Sequence, residues 1–127
     1  MRVGIVGAGI AGLTAGYALS KQGIEVNLFE RSDSITEFGA GITLSKNATI
    51  LLRDLELFDS IADIGFHSNK SFIRDYKNCN VINSMELDDN FLTLDRRDLV
   101  EHLDLRFKEA KGIIHTNKEV TSISPST

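Results

Sequence analysis

The segment Gly7-Ala8-Gly9-Ile10-Ala11-Gly12 constrains this chain more tightly than any other stretch. It follows the apolar run Arg2-Val3-Gly4-Ile5-Val6, which reads as a buried parallel strand. It opens a helical pattern with Leu13, Tyr17 and Ala18 on one face, which stops near Gly23. A second run, Glu25-Val26-Asn27-Leu28-Phe29, then ends at Glu30. The order strand, glycine turn, helix, strand, acid predicts a βαβ unit with its two strands parallel and adjacent.

Each part of that unit has a physical reason. Gly7 permits the tight turn out of the strand, because a residue without a Cβ reaches dihedrals closed to others. Gly9 lets a pyrophosphate approach the main chain, and Gly12 lets the helix pack closely on the sheet. The helix N-terminus offers unpaired N–H groups and the positive end of the helix dipole to a diphosphate. Glu30 stands at the tip of the second strand, where a carboxylate accepts hydrogen bonds from a ribose diol. Strand, helix and acid all occur in the required order, so an adenine dinucleotide site is expected in preference to a purely structural βα turn. A 2′-phosphate would be repelled by Glu30, which leaves FAD or NAD ahead of NADP.

With 127 residues the chain reads as one domain around one core. Its 42% hydrophobic and 25% charged residues fit a globular chain rather than a disordered or membrane-spanning one. A net charge of −4 argues against nucleic-acid or anionic-membrane partners. No apolar run reaches the about 20 residues that a spanning helix needs. The start is not read as a secretory signal, since Arg2 is its only charge and Gly-Ala-Gly opens a helix. The single Cys79 excludes an internal disulfide, fits the reducing cytoplasm, and reads as a passive thiol in a turn. His67, His102 and His115 lack metal-ligand spacing and read as surface or capping residues, so no metal site is expected.

Beyond the βαβ unit, Gly39-Ala40-Gly41-Ile42-Thr43-Leu44 is either a backbone segment running close to a flat or bulky group, or an ordinary loop. Ser45 is the expected N-cap of an amphipathic helix over about 46–55, with Asn47 in its first turn. A shorter helical piece over 58–64 ends at Gly65. Ser71-Phe72-Ile73-Arg74-Asp75-Tyr76 and the run from Val81 form a β-hairpin about the turn Lys77-Asn78-Cys79-Asn80. Asp88 and Asp89 read as solvated loop acids rather than a metal or acid/base pair. A third substantial helix carries Leu99, Val100, Leu103, Phe107 and Ala110 on one face and stops at Gly112. Ile113-Ile114-His115-Thr116 and Val120-Thr121-Ser122-Ile123 are expected strands, either of which would extend the parallel sheet.

Taken together these residues resemble the N-terminal part of the FAD-dependent aromatic-ring hydroxylases, the para-hydroxybenzoate hydroxylase-like flavoprotein monooxygenases. The resemblance rests on Gly7-Ala8-Gly9-Ile10-Ala11-Gly12-Leu13, on Glu30-Arg31, and on Gly39-Ala40-Gly41-Ile42. It continues through Ser45-Lys46-Asn47-Ala48 and the leucine-rich helix to Arg96-Arg97-Asp98-Leu99. It implies an α/β, Rossmann-like FAD/NAD(P)-binding fold with a β-hairpin insertion. It further implies that Gly7, Gly9 and Gly12 hold the FAD pyrophosphate and that Glu30 takes the adenosine ribose. Arg31 would lie beside the adenine, Gly41 on the stretch running towards the flavin, and Arg96 at the phosphate or ribityl region. Lys46 and Glu56 depart from the family's proline and glycine at those places.

The family's later Gly-Asp and Asp-Gly motifs and its substrate-covering sheet have no counterpart in residues 1–127. The expectation is an FAD-binding portion, incomplete relative to the family and without the substrate domain, that has no useful turnover alone. The full-length relative would hydroxylate or oxygenate a small organic substrate with NAD(P)H and O₂, and no catalytic residue is assigned to this chain. Two other readings stay open: an FAD- or NAD-linked oxidoreductase of another kind, and a non-catalytic truncated dinucleotide-binding module. Homo-oligomerisation is expected, because the hairpin adds strand edges with little blocking charge.

Overall fold

A computed structural model of the chain describes residues 1–35 and 39–125. They form two compact units, Met1–Gly39 with Arg96–Thr127, and Ala40–Asp95. In the first unit β1 (Arg2–Val6) leads through the glycine turn into α1 (Ile10–Lys21), and β2 (Glu25–Phe29) follows. β1 and β2 pair in parallel, with Arg2 beside Glu25 and Val6 beside Phe29. This is the expected βαβ arrangement.

The same unit is completed from the far end of the sequence. The helix over Arg96–Glu109 stops at Gly112 and hands over to the strand Ile113–His115, which pairs in parallel with the outer side of β2. α1 packs on both β1 and β2 and on this later helix. Leu13 and Tyr17 of α1, Val26 and Leu28 of β2, and Leu99, Val100, Leu103 and Phe107 of the later helix are buried. These are positions that the apolar periodicities select. Phe107 is fully buried, and a Cβ added to Gly16 would lie 2.8 Å from its ring. Residues 120–123, expected as a strand, run as irregular chain. Ile123 is 84% exposed there, so the segment has no apolar face to bury and nothing to fix it in a ladder.

Register puts Gly4, Asn27 and Ile113 in one row and Val6, Phe29 and His115 in the next, on the face opposite Val26 and Leu28. His115 is half-buried rather than a surface residue. Its ring stacks on Phe29 with centroids 5.1 Å apart, and its Nε2 lies 2.8 Å from Asn27 Oδ1.

In the second unit β3 (Gly41–Leu44) pairs antiparallel with the strand Leu92–Asp95, which also receives β4 (Phe66–His67). Over 41–44 the glycine-containing stretch is therefore a strand and not an ordinary loop. α2 (Lys46–Asp54) and α3 (Phe58–Ala62) lie between β3 and β4 in sequence. Ser45 occupies the N-cap of α2 with extended backbone, but its hydroxyl donates to Asn47 Oδ1 and makes no cap bond. Leu44, Thr49, Leu52, Leu57, Phe58, Ile61, Leu92 and Leu94 are the buried residues of this unit. β5 (Lys70–Arg74) and β6 (Val81–Glu86) form the expected hairpin. Its turn is fixed by Asp75, whose Oδ1 accepts the Lys77 N–H, and by Asn78, whose Oδ1 accepts the Asn80 N–H. Cys79 sits in that turn, exposed, with φ at 61°. The strand Leu92–Asp95 is β7, the helix Arg96–Glu109 is α4, and the strand Ile113–His115 is β8.

Candidate functional site

The glycine turn has the geometry that its three glycines require. Gly7 has φ at +97°, a conformation that a side chain would strain. A Cβ on Gly12 would collide with the Gly7 carbonyl oxygen, so α1 sits directly on the turn. A Cβ on Gly9 would meet nothing within 4 Å, so the space above the main chain at that point is open. Gly9 is also the N-cap of α1 and makes no side-chain cap bond, and no acid stands in the first turn. The first amides of α1 therefore keep their affinity for an anion.

Glu30 follows directly on β2, and its carboxylate reaches back to the turn. Oε2 accepts the Ala8 N–H at 2.7 Å and Oε1 accepts the Ser32 N–H at 2.9 Å. These two bonds, that from Ala8 foremost, hold the Glu30 pKa below the usual carboxylate value despite some desolvation. The Gly7 N–H donates to the Phe29 carbonyl at 2.8 Å, which ties the turn to the end of β2.

A third segment joins them, one that sequence reasoning missed. The Glu30 N–H donates to the His115 carbonyl at 2.9 Å and the Lys118 N–H to the Glu30 carbonyl at 2.8 Å. The Asn117 N–H donates to the Ser32 carbonyl at 2.9 Å, with Asn117 in the left-handed region at φ 54°. An open cleft of about 290 Å³ lies between these segments, lined by Val6, Gly7, Phe29, Glu30, Arg31, Lys118, Glu119 and Val120. The only signal in the sequence for residues 118–120 was their place just past the strand that joins β2.

Of the expected site residues, Gly7, Glu30 and Arg31 line this cleft, while Gly9 and Gly12 shape the turn at its edge. Arg96 opens α4. Because α4 runs into β8, and β8 is parallel to β2, the start of α4 lies at the same end of the sheet as the glycine turn. Arg96 is exposed and is not a lining residue of the cleft. Gly41 begins β3 in the second unit. Among the described residues no cluster of three or more His, Cys, Asp or Glu is arranged to hold a metal, and no helix is long and apolar enough to cross a membrane.

Comparison with known proteins agrees with this geometry. Residues 5–37 match the NAD(P)-binding Rossmann-like domain family. Over 65 residues the chain is 43% identical to a 3-amino-4-hydroxybenzoate 2-monooxygenase of Streptomyces cremeus, covering 51% of this chain and 16% of that one. Over 128 residues it is 27% identical to an FAD-dependent monooxygenase of Beauveria bassiana, covering 94% of this chain and 30% of the relative. Among solved structures, the tetrameric form of 2-methyl-3-hydroxypyridine-5-carboxylic acid oxygenase superposes with a TM-score of 0.83 at 27% identity, over 91% of this chain and 31% of that one. The chain spans a third or less of the length of such curated relatives. In sequence and in fold the chain is thus similar to part of several flavin-dependent monooxygenases, and its first residues match a Rossmann-like domain.

Proposed function

We propose that this chain is the FAD-binding portion of a flavin-dependent monooxygenase that acts on a small aromatic substrate with NAD(P)H and O₂. The observation that carries the reading is the Glu30 carboxylate, fixed at the mouth of a cleft beside an uncapped helix N-terminus. That pairing offers a hydroxyl acceptor and an anion cradle at once, which suits an adenosine diphosphate moiety.

In this reading the amides at the start of α1 take the pyrophosphate, which approaches closely over Gly9. Glu30 accepts the ribose hydroxyls, and Arg31, Lys118 and Val120 border the adenine end of the cleft. Arg96, a fixed charge at the same end of the sheet, serves the phosphate or ribityl region, and Gly41 stands on the stretch towards the flavin. Bound flavin supplies the redox and oxygen chemistry, while the protein binds, orients and excludes water. The residues of this chain do the binding, and the single thiol fits the cytoplasm as the place of work. A homo-oligomeric assembly completes the proposal.

Fluorescence titration with FAD tests it. Measurable but weak binding by residues 1–127 is expected, well above nanomolar Kd, because the residues that line the cleft are those assigned to the adenosine side. Glu30→Ala should weaken it by about tenfold or more, the scale of a hydrogen bond to a charged group. Nanomolar affinity contradicts the weak-binding claim, and unchanged affinity in Glu30→Ala removes Glu30 from the site.

A further inference from the structure

We infer that His115 is a positioning residue for the cleft: held by Asn27, its ring fixes the ring of Phe29 as the apolar wall on which a nucleotide packs. The inference rests on the reading that the cleft takes an adenosine diphosphate moiety, and it adds a strand that the glycine turn does not involve.

Phe29 is the one aromatic residue lining the cleft, where Val6 and Val120 supply the other apolar side chains. It closes β2 on the sheet face opposite Val26 and Leu28. Towards β1 the ring lies near Gly4, where an added Cβ would already stand 3.5 Å from Phe29 Cε2. Gly4 thus leaves room for the ring and offers no side chain to hold it. The hold comes from β8. His115 is opposite Phe29 in register, and the two rings stack with centroids 5.1 Å apart and planes 16° from parallel.

The His115 ring is itself held. Its Nε2 lies 2.8 Å from Oδ1 of Asn27, which stands two residues before Phe29 on the same face of β2. Its main chain is fixed as well, since its carbonyl accepts the Glu30 N–H at 2.9 Å. Asn27, His115 and Phe29 therefore close a triangle across two strands, and only Phe29 of the three borders the cleft. Without the imidazole, a ligand packing on Phe29 would have to order that ring at its own cost in affinity.

Calorimetric titration of the chain with ADP, beside thermal unfolding, tests this. His115→Ala should weaken ADP binding by about threefold to tenfold, the scale of one aromatic pair. His115→Phe keeps a ring for Phe29 to stack on and should recover most of that loss. Asn27→Ala, which frees the imidazole to turn, should show a smaller loss. In a Phe29→Leu background His115→Ala should change ADP affinity no further, because its effect runs through Phe29. If His115→Ala does not fold, Asn27→Ala alone and in the Phe29→Leu background decides. A lower unfolding midpoint with unchanged ADP affinity overturns the positioning role and leaves His115 as a tie between β8 and β2. An undiminished loss in the Phe29→Leu background overturns the route through Phe29. No ADP binding by the wild type overturns the nucleotide reading of the cleft and the inference with it.

Discussion

The carboxylate of Glu30 accepts N–H groups from Ala8 and Ser32, and these bonds outweigh the partial burial that opposes ionisation. Its folded pKa therefore lies below its unfolded one, and linkage fixes the sign of the consequence. The stabilisation is fully present above the unfolded pKa and is lost as pH falls through the lower folded value. Thermal unfolding midpoints of the wild type and Glu30→Gln should differ at neutral pH, with the wild type higher. The gap should close as the solution is acidified below the ordinary carboxylate range. A gap that stays constant across that range would show that the charge is not what stabilises the turn. Glu30 was legible in the sequence, because an acid closing a strand after a glycine turn has a chemical reason to be there. Ala8, Ser32 and Lys118 were not, since they act through main-chain N–H groups that carry no side-chain signature.

Among the elements, α1 and α4 were readable because burial of one helical face imposes a period that Leu13 and Tyr17, and Leu99, Leu103 and Phe107, keep. β3 and β7 were not read as strands. They are short and pair with each other across a long stretch of sequence, as in Thr43 beside Thr93, so neither signals its partner locally. The packing of α1 on α4 is set by the contact of Phe107 with Gly16 and Gly112. Gly16→Ala adds helix propensity worth about 1 kcal/mol. It also presses a methyl to 2.8 Å from a fully buried ring, and overpacking of that kind costs about 1–3 kcal/mol. The clash should win, lowering stability in chemical denaturation. Adding Phe107→Leu to Gly16→Ala should cost less than the sum of the two single changes, because the smaller side chain relieves the clash. Strict additivity in that cycle would place the strain elsewhere.

At the scale of the whole molecule the exposed apolar surface is the feature with consequences. Every residue of β5 and β6 is exposed, including Phe72, Ile73, Val81, Ile82 and Met85. Among the described residues neither strand pairs with anything but the other. A two-stranded hairpin is at best marginally stable in water by itself, and open edges template pairing with another chain. The edges differ in charge. β5 carries Lys70 and Arg74, whose antiparallel self-pairing would oppose two cations, while Glu86 is the only charge on β6. Self-pairing along β6 therefore meets less repulsion. In the first unit Val6 is 59% exposed on the face of the sheet opposite Val26 and Leu28, although parallel sheets are ordinarily covered on both faces. Light scattering after size-exclusion chromatography is expected to show a dimer or larger species at working concentration. Ile82→Lys, which sets a cation on β6, should shift the population towards monomer and lower the binding of a hydrophobic dye. A wild-type chain that stays monomeric at high concentration and binds little dye would show that these exposed residues are stable in water without a partner.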